Sequence, residues 1–187
     1  MKKIIVMAAV LTASGSALAA DVGLGVSMKS NDATIFLPID VSPSFRVEPM
    51  LNYRKQDTVR RIIPNSPYTG AWDDSSTVLT IGVGLFGVAE LADSVSAYYG
   101  GRIGYLSLEN TSRLSGTLPP GYPSTTAEDS LDGYTLAPTI GLEYHFSKRF
   151  SIGGEAALAY TNIEGDDGSS QESTATTTNI IFRYMFQ

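Results

Sequence analysis

The chain of 187 residues has no cysteine, a single histidine and a single tryptophan, and only 17% of its residues are charged. Without cysteine there is neither a disulfide framework nor a thiolate metal centre. Basic residues are in the minority, 13 against 19 acidic, giving a formal charge of −6. That balance excludes nucleic acid as a partner, because neutralising phosphates requires a basic surface. What is present is apolar and aromatic: 43% hydrophobic residues, 18 Gly and 10 Tyr. Such a composition is too rich in core-forming side chains for a disordered chain, and the length suits one domain. The mean hydropathy of +0.02 does not distinguish a mixed surface from strict alternation, so the pattern along the chain decides.

Residues 1–20 read as a secretory leader. Lys2 and Lys3 form a positive n-region, Ile4 to Ala13 an apolar stretch, and Ala17-Leu18-Ala19 a small-residue cleavage site. Ten residues fall short of the ~20 that a spanning helix needs. Removing the leader takes two basic and no acidic residues, so residues 21–187 carry 11 basic against 19 acidic side chains, a net charge of −8. An exported, acidic domain is expected.

Residues 21–187 contain no helical periodicity of useful length, and period-2 alternation recurs throughout. The aliphatic rows are Val22, Leu24, Val26, Met28; Ile35, Leu37, Ile39, Val41; Phe45, Val47, Pro49, Leu51, Tyr53; and Leu79, Ile81, Val83, Leu85. They continue with Val95, Ala97, Tyr99, Ile103, Tyr105; Tyr134, Leu136, Pro138, Ile140, Leu142, Tyr144, Phe146; Ile152, Ala156, Leu158, Tyr160; and Thr178, Ile180, Phe182, Tyr184, Phe186. These predict eight strands. Pro38, Pro49 and Pro138 interrupt them, and since proline donates no ladder hydrogen bond, bulges or barrel rims are expected there. Connections at 31–33, 42–44, 89–93 and 147–148 are short. Those at 56–74, 109–129 and 164–173 are long and fall at one end of an up-and-down meander. An exported chain with these features carries the signature of an outer-membrane barrel, in which a closed sheet satisfies every backbone group within hydrocarbon.

The charges support that phase. Lys29, Asp40, Arg46, Glu48, Arg54, Arg102, Glu143, Glu155 and Arg183 all lie in the row opposite the aliphatic one, as a bilayer selects when a lipid-facing Arg or Lys costs ~2–4 kcal/mol at the midplane. Aromatics form two belts: Phe45, Tyr144, Phe146, Phe150, Tyr184 and Phe186 at the short-turn end, and Tyr53, Tyr105, Tyr134 and Tyr160 at the other. A soluble lipocalin-like barrel with the aliphatic rows inward would strand both belts in a small lumen.

The segments Val22-Gly23-Leu24-Gly25-Val26, Leu37-Pro38-Ile39, Arg46-Val47-Glu48-Pro49, Ala137 to Tyr144 and Phe182-Arg183-Tyr184-Met185-Phe186 resemble small outer-membrane β-barrel proteins of the OmpA/OmpX type. The resemblance implies an all-β fold, an eight-stranded antiparallel up-and-down transmembrane β-barrel. It implies insertion by the outer-membrane assembly machinery, which in that family reads a C-terminal strand of alternating hydrophobics ending in an aromatic. Ile180, Phe182, Tyr184 and Phe186 match that signal, and Gln187 departs from it by following the aromatic.

An eight-stranded lumen is narrow enough for side chains to fill, so the nine charges read as a buried ion-pair network, with Glu143, Glu155 and Arg183 on consecutive strands as partners. The alternative is a narrow pore or gate, because Gly23, Gly25, Gly82, Gly84, Gly100, Gly104, Gly141 and Gly153 face inward and leave space for water. A lipid A-modifying enzyme is a third reading, but His145 falls at the short-turn end, far from outer-leaflet lipid, as a polar lumen residue near Glu143. The loops are where partners bind: residues 56–74 combine Arg60 and Arg61 with Tyr68 and Trp72, residues 115–125 look extended, and the loop with Glu164, Asp166, Asp167 and Glu172 reads as solvated acidic chain. The expectation is a non-enzymatic, monomeric scaffold of the bacterial outer membrane with both termini periplasmic. It touches lipid and lipopolysaccharide, presents loops to a surface ligand or host protein, and needs no cofactor or metal.

Overall fold

The computed structural model describes residues 21–29, 32–61, 69–117, 125–165 and 168–186; the expected leader, 1–20, lies outside them. Nine strands follow in chain order: β1 (Asp21–Lys29), β2 (Asp32–Phe36), β3 (Ile39–Ser42), β4 (Phe45–Arg61), β5 (Thr69–Ala92), β6 (Val95–Thr117), β7 (Thr126–His145), β8 (Phe150–Gly165) and β9 (Ser170–Phe186). All ladders are antiparallel, and β1 pairs with β9 from Val22↔Phe186 to Met28↔Ile180, which closes the ring.

The ring has eight positions, because β2 and β3 are two halves of one strand. Both pair with β1 and with β4, and the pairings Phe36↔Met50 and Ile39↔Val47 keep one register across the break at Leu37-Pro38. The expected bulge at Pro38 is therefore an interruption without a slip. Pro49 sits beside it: the Leu37 N–H donates to the Pro49 carbonyl at 2.9 Å, and the Gly23 N–H to the Pro38 carbonyl at 2.8 Å. The two missing proline donors thus fall at the same gap. Pro138 behaves alike, since the β7–β8 ladder skips Ala137 and Pro138 and resumes in the same register at Thr139↔Ala157. A bulge does occur, between Asp40 and Ser42 beside the β3–β4 turn.

The phase follows the sequence reading, and burial is inverted relative to a soluble protein. Ile140 is 65% exposed, whereas Phe86 and Glu48 are fully buried and Arg183 is 1% exposed. Aliphatic rows face outward and the charged row faces the lumen, which rules out the lipocalin-like arrangement. On β7 the belts at Tyr134 and Tyr144 are ten residues apart, about 33 Å along the strand. A strand tilt of ~40° reduces this to about 25 Å, the height of an outer-membrane apolar band.

Three expected loops are mostly strand. Residues 56–61 extend β4, 69–74 begin β5, 109–117 end β6, 126–129 begin β7, and 164–165 and 170–173 belong to β8 and β9. Ladders run out to Arg61↔Ala71, Thr69↔Thr117 and Arg113↔Thr126. Beyond the belt both faces are mostly polar, with Val59, Trp72 and Leu114 as isolated apolar residues, so alternation, the signal that marks a strand, disappears while the hydrogen-bonded ladder continues. The tips at 62–68, 118–124 and 166–167 lie outside the described residues. So do residues 30–31; the pair that flanks them, Lys29↔Asp32, is at the same end as the long hairpins although the connection is short.

Ile81 lies in the outward row between Leu51 and Tyr105, while its neighbour Thr80 faces the lumen. Ile81→Arg should destabilise the folded barrel by about 2–4 kcal/mol in urea unfolding from lipid vesicles, and Thr80→Ser should be nearly neutral. Equal tolerance of the two would mean that the phase is inverted.

Candidate functional site

The inward residues of six strands meet in one chain of alternating charge. Arg46 on β4 binds Asp40 on β3 at 2.6 Å and Glu143 on β7 at 2.9 Å. Glu143 also accepts from Arg183 on β9 at 2.7 Å and from the Ser151 hydroxyl on β8. Across the lumen, Arg183 Nε donates to Glu48 on β4 at 3.0 Å, and its Nη2 lies 2.8 Å from the same oxygen without an aligned hydrogen bond. Arg102 on β6 joins Glu48 at 3.2 Å to Glu155 on β8 at 2.8 Å. Glu155 is completed by Asn179 at 2.8 Å and the Tyr98 hydroxyl at 3.2 Å. The order is Asp40, Arg46, Glu143, Arg183, Glu48, Arg102, Glu155, so every cation lies between two carboxylates.

Aromatic rings pack the space between the links. Arg183 stacks over Tyr98 at 4.8 Å and Phe36 at 5.3 Å, and Arg102 over Phe86 at 4.9 Å. Phe86 meets Tyr98 edge-on with centroids 5.5 Å apart, and Phe36, Met50, Phe86, Tyr98 and Ile181 form the buried core. A guanidinium between carboxylates and ring faces keeps both its hydrogen bonds and its cation–π contacts in a dry interior.

The inward glycines do not leave water-sized gaps as expected. A Cβ at Gly25 would meet the Phe36 ring, one at Gly84 the Phe86 ring, and one at Gly141 the Tyr98 ring; at Gly82 it would meet the Ile103 carbonyl and the Met50 methyl, and at Gly104 the Thr80, Thr135 and Met50 methyls. At Gly100 and Gly153 the neighbour is the backbone of the adjacent strand. Glycine is required so that large rings can lie flat against the barrel wall.

Of the nine charges read from sequence, seven form this network. Arg54 has inward parity but stands exposed above the network, and the Lys29 side chain lies outside the described residues. The expected trio is corrected: Arg183 reaches Glu143, but its second carboxylate is Glu48 and not Glu155. The β8–β9 ladder pairs Ser151 with Arg183 and Glu155 with Asn179, setting Glu155 four residues, about 13 Å, further along. His145 lies near Glu143 and pairs through Nε2 with Ser96 Oγ at 2.8 Å. It borders a small cavity of about 80 Å³ at the short-turn mouth, with Asp21, Asp40, Arg46, Lys148 and Arg149. Sequence reasoning did not single out Tyr98, Phe36, Phe86, Ser151 or Asn179. Their signal was parity: bulky or polar residues in rows otherwise rich in glycine.

Beyond the belt, Arg60 donates to Asp74 at 2.6 Å and Ser112 donates to its other oxygen at 2.8 Å. These bonds, that from Arg60 foremost, hold the Asp74 carboxyl below the usual carboxylate range. Arg60 and Trp72 stand opposite each other on one face of the β4–β5 hairpin, and Tyr68 lies outside the described residues. On β9, Ile180, Phe182, Tyr184 and Phe186 share the outward face and are the residues paired with β1 at the closing seam. Among the described residues no group of three or more His, Asp or Glu side chains could hold a metal ion. Asp166 and Asp167 lie outside them.

Residues 5–186 match the family described as Outer membrane protein beta-barrel domain. The chain belongs to this family, whose place is the bacterial outer membrane. No curated protein matches the sequence. Among solved structures, a major outer membrane protein from Thermus thermophilus is 13% identical with a TM-score of 0.57, over 90% of this chain and 100% of that one. The attachment invasion locus protein Ail of Yersinia pestis is 15% identical with a TM-score of 0.41, covering 89% and 96%. The outer membrane protease OmpT from Escherichia coli is 13% identical with a TM-score of 0.42, covering 83% and 62%. At these identities the likeness extends to the fold alone.

Arg183→Ala should cost on the order of 3–5 kcal/mol, because it leaves Glu48 and Glu143 short of a cation in a buried setting. Adding Glu48→Gln should recover part of that loss. Adding Glu155→Gln, three links from Arg183 by way of Glu48 and Arg102, should not recover any. Urea unfolding of the single and double variants from vesicles measures the coupling, and strictly additive losses for Arg183 and Glu48 would break the link drawn between them.

Proposed function

We propose that the protein is a non-enzymatic outer-membrane scaffold whose lumen is closed by the charge chain and whose long hairpins face the exterior to meet a surface ligand or host protein. The observation that carries this reading is the unbroken sequence of seven alternating charges from Asp40 to Glu155, packed between Phe36, Phe86 and Tyr98. A conducting path requires mobile, hydrated charges. Here each guanidinium is held from two sides, and moving Arg183 or Arg102 strands two buried carboxylates.

Further features accompany this reading. Residues 1–20 act as a cleaved leader, leaving 21–187 as a barrel domain. The meander begins with β1 and ends with β9 at the short-turn end, which supports reading that end as periplasmic, the side on which the assembly machinery would read the outward aromatic face of β9. The exposed belts contact membrane lipid and lipopolysaccharide, and the barrel works as a monomer without a cofactor. The nearest approach to hydrolytic chemistry, Ser96 beside His145, has its serine buried at the short-turn end, away from the exterior leaflet.

Purified protein in planar bilayers should give at most small, infrequent conductance. Arg183→Ala combined with Arg102→Ala should raise the frequency of openings by unlinking the middle of the chain. Stable large channels from the unaltered protein would make it a pore. A change of one acyl chain in the lipid A of cells that express it would make it an enzyme.

A further inference from the structure

Between the belts, the strand glycines are covered with one exception. Those facing inward meet rings, methyls or backbone, and of those in the outward rows Gly87 lies under the Tyr99 ring and Gly101 against Pro138. A Cβ at Gly154 would meet nothing. Its ladder partners, Leu142 on β7 and Ile180 on β9, stand 56% and 55% exposed on either side. The result is a shallow apolar groove of about 350 Å³ in the lipid-facing wall. Ala156 continues its narrow floor in the same row, and the larger Leu158 ends it. A glycine inside a strand weakens the strand, and its use there marks close approach by another group. No group of this chain fills the space.

The same hairpin leads from the groove to a cationic tip. Leu142 and Gly154 lie two residues inside the belt pair Tyr144↔Ile152, where acyl chains begin. Rings follow toward the turn: Tyr144 meets Phe146 at 4.9 Å, Phe146 stacks on Phe150 at 5.7 Å, and beside them on β9 Tyr184 meets Phe186 at 5.6 Å. Phe150 is four residues, about 13 Å along the strand, from Gly154. Lys148 and Arg149 precede it in the turn, which Ser147 Oγ holds by accepting from the Arg149 and Phe150 N–H groups at 3.2 and 3.1 Å. Both cations are exposed. Asp21 and Asp40 border the mouth cavity beside them, but Asp40 is bound by Arg46, and neither Lys148 nor Arg149 has an ion pair among the described residues. The β5–β6 turn at the same end carries Glu90 and Asp93 instead.

We propose that the outward face of the β7–β8 hairpin is a site for one anionic glycerophospholipid of the adjoining leaflet. One acyl chain lies along the Gly154 groove, the glycerol and ester region rests on the belt rings, and the anionic headgroup meets Lys148 and Arg149. Any bilayer chain removes apolar surface equally well, so the groove contributes close packing and shape. The cations contribute the preference for an anionic over a zwitterionic headgroup. The leaflet is the periplasmic one under the orientation proposed above; the site itself needs only the lipid-facing phase of β7 to β9.

The test titrates the folded protein in detergent with phosphatidylglycerol or with phosphatidylcholine of the same chain length, and counts retained lipid by native mass spectrometry. One phosphatidylglycerol should be held about tenfold more tightly than phosphatidylcholine. Lys148→Gln combined with Arg149→Gln should abolish that preference. Gly154→Leu fills the groove with a side chain that the lipid face accepts, and should weaken phosphatidylglycerol retention about tenfold; Gly154→Ala should act in the same direction with a smaller effect. Lys55→Gln combined with Arg61→Gln, at the opposite rim, should change nothing. All variants should keep the heat-shifted gel mobility of a closed barrel. Equal retention of the two lipids by the unaltered protein overturns the site. Retention that survives both Gly154 variants also overturns it, leaving only attraction to the turn, and so does an equal loss from the opposite-rim pair, which makes the effect one of net charge. None of these outcomes bears on conductance or on lipid A mass, so the scaffold reading stands or falls separately.

Discussion

Closure of the hydrogen-bonded ring is the constraint from which the other features follow. In hydrocarbon each unpaired backbone group costs several kcal/mol, so β1 must find β9, and the ladder from Val22↔Phe186 to Met28↔Ile180 does so. Once the ring is closed, side chains have only two directions. One leads to lipid and admits aliphatics, small residues and belt aromatics; the other leads into a lumen occupied by the charge chain and the rings packed against it. The three prolines within the hoop are tolerated because each removes one donor without shifting the register, so the ring's remaining hydrogen bonds stay aligned.

The lumen inverts the usual relation between burial and polarity. Buried ion pairs are poor sources of net stability, since desolvation offsets much of the attraction. Their value here is geometric. Arg183 ties β9 to β7 and, through Glu48, to β4 on the far wall, while Arg102 ties β6 to β4 and β8. These cross-links span the barrel where no backbone ladder can. They also fix where Tyr98, Phe36 and Phe86 lie, and the inward glycines supply the flat wall those rings need.

Above the belt the constraint relaxes. Water satisfies open backbone groups there, so strands can end at different heights, and β4 to β7 rise well beyond the first hairpin. The rim is thereby divided into a tall four-stranded portion, held internally by Arg60, Asp74 and Ser112, and a low portion where β1 ends at Lys29 and β2 begins at Asp32. Sequence can vary in this region without disturbing the hoop below, which separates the part of the molecule that sets stability from the part that is free of the bilayer's constraint.

The hydrophobic alternation by itself determined the number of ring positions, the phase of every strand and the inward placement of the charges. Those are local properties, set by which side of a pleat each residue occupies. Tertiary structure decided the partners. Strand tilt and stagger moved Glu155 away from Arg183 and brought Glu48 to it from across the lumen, a contact between residues 135 positions apart that no local pattern encodes. It also filled the glycine gaps with rings from neighbouring strands and extended the hairpins through residues 56–61, 69–74, 109–117 and 126–129. In those segments both faces are wet, so the alternation that reveals a strand in lipid carries no signal. Period-2 patterning records only the difference between two environments, and it is silent where those environments are alike or where the interaction runs across the barrel.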